Sequence, residues 1–126
     1  MEKQYHIGID DSHGAKVAIL PGDPARVPLI AEALDEAKPL AVHREYTSYL
    51  GKVGEYKVLV MSTGMGGPST AIAVEELVKT GVEVFIRLGT CGGMAMQVKP
   101  GDLVIAQGAI RREGMSHEYA PAGYPA

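Results

Sequence analysis

Three arginines hold the chemistry that this sequence is best equipped to do. Arg26 stands in Gly22-Asp23-Pro24-Ala25-Arg26, Arg44 in His43-Arg44-Glu45, and Arg87 in Arg87-Leu88-Gly89-Thr90. The chain has five arginines, so these turns contain most of them. A guanidinium offers a planar fork of N–H donors that suits a tetrahedral oxyanion better than the point charge of lysine. Arg26 and Arg87 adjoin segments that read as strand-to-loop junctions. Together they point to an inorganic phosphate or phosphate ester held by convergent arginines and backbone amides. The competing reading is a set of surface ion pairs. Against it, Arg26 and Arg87 are embedded in apolar sequence beside glycine, and burying an unpaired guanidinium is costly unless an anion offsets it.

Other reactive residues are weaker candidates. Cys91 follows an apolar run and could be a nucleophile, but a bystander thiol is the commoner case. His43, beside Arg44 and Glu45, could be a base or a hydrogen-bonded structural histidine. His117-Glu118 is a poor metal pair, and the four histidines show no metal-like spacing. Gly64-Met65-Gly66 begins like a dinucleotide fingerprint, yet Ser69 stands at its last position and no acidic residue follows to hold a ribose. A Gly-Lys-Ser/Thr phosphate loop is absent.

The elements that must position these residues alternate between strand and helix. Val17-Ala18-Ile19-Leu20 is a short apolar run closed by Pro21-Gly22 and reads as a buried strand. Asp23 as a cap and Pro24 as an opener then start a helix with Val27, Ile30, Ala33 and Leu34 on one face. That puts Arg26 in the first helical turn, near free N–H groups. Glu45 to Val53 and Lys57 to Met61 read as a hairpin through Gly54-Glu55. The glycine-rich turn Thr63 to Thr70 leads to a helix carrying Ile72, Ala73, Leu77 and Val78, stopped by Gly81. A strand over Val82 to Ile86 ends at Arg87, and two more strands are expected over Asp102 to Ala106 and Ala109 to Arg111. This alternation is an α/β architecture, with functional loops at strand carboxyl ends.

Composition bounds the partners. The 126 residues are expected to form a single domain, residues 1–126. Hydrophobic content of 46% and charged content of 21% are ordinary for a globular chain. A net charge of −3 argues against a nucleic-acid partner, and no apolar run approaches a membrane span. One cysteine excludes an internal disulfide framework and fits a reducing compartment, so a cytoplasmic location is expected. The segment from Glu118 to Ala126 has no closing element, which reads as a loose tail or as part of something longer.

Four ordered motifs resemble the uridine phosphorylases, within the hexameric nucleoside phosphorylase family. They are Gly-Asp-Pro-x-Arg at 22–26, His-Arg-Glu-Tyr-Thr at 43–47, Ser-Thr-Gly-Met-Gly-Gly-Pro-Ser at 62–69 and Phe-Ile-Arg-Leu-Gly-Thr at 85–90. The resemblance runs from Tyr5-His6-Ile7-Gly8 to the end of the chain. It implies a mixed central β-sheet flanked by helices, truncated at the C-terminus relative to longer family members. The implied reaction is phosphorolysis of a nucleoside to free base and ribose 1-phosphate, a pentosyl transfer that needs no cofactor beyond phosphate as co-substrate. Phosphate would be held by the Gly22 amide, Arg26, Arg87 and Thr90, with Arg44 reaching in from a neighbouring subunit of a homo-oligomer. His6 of the neighbour would bond the ribose 5′-hydroxyl, and Cys91 and Gly92 would border the base. Glu45, the Met65 carbonyl and Ser69 match a monovalent-cation site, for potassium, at the dimer interface. The ribose-gripping Met-Glu pair and uracil-reading Gln-x-Arg of the family's second half are missing. Gly89-Thr90-Cys91-Gly92 leans toward the purine enzymes, whereas Ser116-His117-Glu118-Tyr119-Ala120-Pro121 leans toward uridine. Uridine is the favoured substrate, with a purine nucleoside phosphorylase, a phosphate-indifferent nucleosidase, or a non-catalytic phosphate-binding module as alternatives.

Overall fold

A computed structural model describes residues 2–124, which form two compact units divided between Leu88 and Gly89. The first unit is built on a mixed five-stranded sheet. Its strands are β1 (Val17–Leu20), β2 (Asp35–His43), β3 (Tyr46–Val53), β4 (Tyr56–Met61) and β5 (Val84–Arg87). Their spatial order is β2-β3-β4-β1-β5. β1 runs parallel to both neighbours, whereas β2-β3 and β3-β4 are antiparallel hairpins. Helix α1 (Arg26–Ala31) follows β1, and α2 (Gly67–Lys79) carries the chain from β4 to β5.

The expected α/β architecture of a mixed sheet with flanking helices is therefore present. Along β4, Val58, Leu59, Val60 and Met61 are all buried. Successive side chains point to opposite faces, so both faces of this strand are covered. On one of them Leu59 and Met61 join Ala18, Leu20, Ile7, Tyr46, and Ala73 and Leu77 of α2. α2 ends as its sequence dictates: Gly81 takes a φ of 91°, its N–H reaches the Val78 carbonyl, and Val82 N–H reaches Leu77. That closure consumes Val82, so β5 starts two residues later than the apolar run suggests.

Three differences from the sequence reading have physical causes. β2 carries Asp, Glu, Lys and Pro39, has two register irregularities and is largely exposed. These features suit a sheet edge, and they conceal a strand from pattern reading. α1 is only six residues long, and it starts at Arg26 because Asp23 accepts from Ala25 N–H (2.9 Å) and forms a turn before the helix rather than a cap on it. Ala33 and Leu34 lie beyond its end. The strands expected over Asp102 to Ala106 and Ala109 to Arg111 are not formed. Leu103, Ile105 and Ile110 are 97%, 91% and 82% exposed, and no strand pairing occurs there among the described residues. A strand is defined by its ladder partner, and apolar content alone does not supply one.

His13 is buried beneath α2. Its Nδ1 accepts from Ala15 N–H (2.9 Å), so Nε2 bears the proton and donates to Thr80 Oγ1 (3.0 Å). Burial holds this ring below the ordinary histidine value of 6.5. Folding therefore favours the neutral ring. Its stabilising contribution is complete above the unfolded value and is lost as pH falls below it toward the folded one. Urea unfolding should show the midpoint dropping between about pH 7.5 and 5.5, with a shallower drop in His13→Gln. Equal pH slopes in the two proteins would contradict this account.

Candidate functional site

The carboxyl ends of three parallel, adjacent strands meet at one edge of the sheet. After β1 come Pro21 and Gly22, after β4 come Ser62, Thr63 and Gly64, and β5 ends in Arg87. Two backbone bonds tie the first two loops together, Thr63 N–H to the Pro21 carbonyl (3.0 Å) and Gly64 N–H to the Gly22 carbonyl (2.9 Å). Arg87 is held from the third strand. Its Nη1 donates to the Leu20 carbonyl (3.2 Å) and to its neighbour Leu88 (2.6 Å). That leaves the Nη2 side lying over Gly22: a Cβ there would sit 3.2 Å from Nη2 and 3.4 Å from the Gly64 carbonyl. Glycine at 22 thus lets the guanidinium approach the backbone closely.

Of the predicted phosphate ligands, Gly22 and Arg87 are brought together. Arg26 is the first residue of α1, half-buried, and its guanidinium has no hydrogen-bond partner among the described residues. Arg44 and Arg87 are exposed. The burial expected of Arg87 from its apolar neighbours is therefore absent, because it stands where β5 leaves the sheet. What remains is their donor chemistry.

Arg44 and Glu45 form the two-residue turn between β2 and β3, where His43 pairs with Tyr46. Arg44 adopts a left-handed φ of 55°, unusual for a residue with a Cβ and energetically costly. This turn lies beside the end of β4: Ser62 Oγ donates to the Glu45 carbonyl (2.6 Å) and accepts from Thr47 N–H (2.8 Å). The Glu45 side chain packs on Gly64, where a Cβ would meet its Cγ at 2.8 Å and Ser69 Oγ at 3.5 Å. Ser69 Oγ donates to the Met65 carbonyl (3.1 Å). Glu45, Met65 and Ser69 are therefore neighbours around Gly64. The buried Tyr46 fixes the start of α2 by donating to the Ser69 carbonyl (2.9 Å), and burial pushes its hydroxyl up to about 12.

His6 and Arg44 also share a cluster. The Arg44 guanidinium lies over the Tyr5 ring (5.9 Å), and that ring meets His6 edge-on (4.9 Å). His43 Nδ1 donates to the His6 carbonyl (2.7 Å), which resolves it as a structural histidine here. Glu76 of α2, 7% exposed, accepts from His6 Nδ1 (2.6 Å), His6 N–H (3.0 Å) and Ile7 N–H (2.9 Å). Burial pushes its carboxyl up, but these donors outweigh burial and hold it below the ordinary range, so it is ionised at neutral pH.

Thr90, Cys91 and Gly92 belong to the second unit and are exposed there. That unit is organised by Arg111. Its guanidinium donates to Ser116 Oγ (2.9 Å) and to the carbonyls of Ser116, Ala120, Pro121 and Tyr124 around the short helical turn Met115–Glu118. His117 and Glu118 lie in that turn. Among the described residues no three His, Cys, Asp or Glu side chains gather as metal ligands.

A model of the Phosphorylase superfamily matches residues 16–126. The chain belongs to the phosphorylase superfamily. Over 123 residues it is 52% identical to a uridine phosphorylase of Treponema pallidum (strain Nichols), covering 98% of this chain and 48% of that protein. It is 48% identical to a uridine phosphorylase of Thermococcus kodakarensis, covering 98% of this chain and 44% of the relative. A guanosine phosphorylase of Halorubrum lacusprofundi is 43% identical over the whole chain and 52% of its own length. The chain thus spans about half the length of the curated relatives it matches.

Within this phosphorylase chain, sequence reading missed Glu76, Tyr5 and Tyr46. Glu76 had a usable signal. With Ala73 and Leu77 it occupies the i, i+3, i+4 stripe of α2, so it is a charge on the buried face. Tyr46 lies on the alternating buried stripe of β3 with Ser48, and no comparable pattern marks Tyr5.

The close approach at Gly64 can be separated from its backbone cost. Gly64 and Gly54 both have positive φ, 70° and 57°, but a Cβ at Gly54 meets nothing within 4 Å. Both alanine substitutions should lose about 1 kcal/mol for conformation. Gly64→Ala should lose roughly a further 1 kcal/mol or more by displacing Glu45. Equal losses on urea unfolding would show that Glu45 yields freely.

Proposed function

We propose that this chain is the first half of a nucleoside phosphorylase, with uridine the favoured nucleoside. The observation that carries this reading is the guanidinium of Arg87 laid against the Cβ-less backbone of Gly22, where three parallel strands end. Anions bind in such crevices outside strand carboxyl ends, where backbone N–H groups and charged forks converge. Family membership, and the names borne by the relatives, support phosphate as the anion and a nucleoside as its partner.

The reaction uses the anion as nucleophile. The bond from ribose C1′ to the base nitrogen breaks toward an oxocarbenium-like cation, its electron pair leaving with the base. A phosphate oxygen held below C1′ stabilises that cation and then bonds to it, giving ribose 1-phosphate. The protein's work is positioning and electrostatics, so no covalent nucleophile is required, and Cys91 serves beside the base with Gly92. The Gly22 amide, Arg26, Arg87 and Thr90 hold phosphate within one subunit, and Arg44 completes the site of a neighbouring copy. His6, sharing the Tyr5 cluster with Arg44, contacts the ribose 5′-hydroxyl of that same neighbour. Potassium is bound by Glu45, the Met65 carbonyl and Ser69, whose oxygen donors suit a hard cation. A purine nucleoside is the second reading. It is favoured by Gly89-Thr90-Cys91-Gly92 and by the resemblance to the guanosine phosphorylase.

The chain completed to the length of its relatives should release uracil from uridine only when phosphate is present. Arg87→Ala should lower kcat/KM by roughly 100- to 1000-fold, as expected for removing a preorganised charge. Guanine release in place of uracil would select the purine reading. Base release that is indifferent to phosphate would make it a nucleosidase, and no release from any nucleoside would refute the proposal.

A further inference from the structure

We infer that Glu76 is a positioning residue that fixes the tautomer of His6, placing its proton on Nδ1 and turning Nε2 outward as a hydrogen-bond acceptor. The inference rests on the proposed role of His6 at the ribose, and it goes beyond that role by specifying what His6 can recognise. A carboxylate only accepts, so the 2.6 Å contact requires Nδ1 to donate. The same carboxylate takes the backbone N–H groups of His6 and Ile7, so the ring is tethered at both its side chain and its main chain. Two further contacts limit its swing: His43 holds the His6 carbonyl, and Tyr5 meets the ring edge-on.

The consequence is chemical selectivity. A neutral imidazole with Nδ1–H has one lone pair left, at Nε2, and that lone pair accepts a hydrogen bond from a hydroxyl. A ribose 5′-hydroxyl satisfies it; a 5′-deoxy sugar leaves it unpaired. Glu76 lies in the last turn of α2 and touches no reacting atom, so its effect on substrate passes entirely through His6. A carboxylate that merely staples the N-terminal segment to the helix would be expected to affect all substrates alike.

Two measurements test this. Long-range proton–nitrogen NMR of the 126-residue chain near pH 8 should place the His6 proton on Nδ1. Finding it on Nε2 overturns the inference without reference to any activity. In the completed enzyme, Glu76→Leu should lower kcat/KM for uridine roughly tenfold while leaving 5′-deoxyuridine nearly unchanged. Glu76→Gln, which keeps the size of the side chain and one acceptor oxygen, should show the same discrimination in weaker form, and it stands in if the leucine variant does not fold. Equal losses on both nucleosides overturn the positioning role. If His6→Ala keeps the full preference of the unsubstituted enzyme for uridine over 5′-deoxyuridine, the ribose role of His6 fails, and the hydroxyl selectivity drawn here falls with it. The NMR result identifies that case separately.

Discussion

Everything at the candidate site depends on β1 lying between two parallel neighbours. Parallel pairing with β4 and β5 brings three strand ends to the same edge of the sheet, although they are separated in sequence by helices and a hairpin. The register aligns Leu20 with Arg87, so the arginine emerges beside the loop that begins at Pro21. Neither Gly22 nor Arg87 could approach the other from a different strand order. α2 makes the order possible, since a parallel connection from β4 to β5 needs a crossover of its length.

Close approach is the second constraint. Gly22 admits the Arg87 fork and Gly64 admits the Glu45 side chain, and in each case a Cβ would meet its neighbour at or inside normal contact. These two glycines bring charged side chains against the backbone from different directions, one cationic and one anionic. The turn at Arg44 adds a left-handed residue that has no glycine to relieve it. Its cost is borne by a hairpin that pairs regularly next to the turn, from Ala41-Ser48 to His43-Tyr46. Beyond it, Glu76 anchors the N-terminal segment, so His6 is placed by the helix interior as well as by its own loop.

Much of this was legible in the residues. Short apolar runs closed by glycine or proline marked β1, β4 and the start of α2, and Gly81 marked where α2 stops. The run ending at Arg87 was legible as a strand, and the ordered motifs carried the family. Three things were not legible. β2 hides its strand character behind charges and Pro39, because an edge strand is shaped to resist pairing as much as to pair. The apolar residues near 103 and 110 look like strands, but strand formation depends on a partner that the local sequence cannot name. Glu76 shows locally only as a charge on the buried stripe of α2, and its partners stand some seventy positions earlier in the chain. Long-range pairing is the common element in all three.

The central claim is that an anion binds where β1, β4 and β5 end. Titrating the nitrogen-labelled chain with inorganic phosphate tests it most directly. The account predicts that the Gly22 amide and the Arg87 side-chain nitrogens shift together and saturate with one dissociation constant, and that these shifts vanish in Arg87→Ala. Shifts confined to other residues, or none at Gly22 and Arg87 at saturating phosphate, would contradict it.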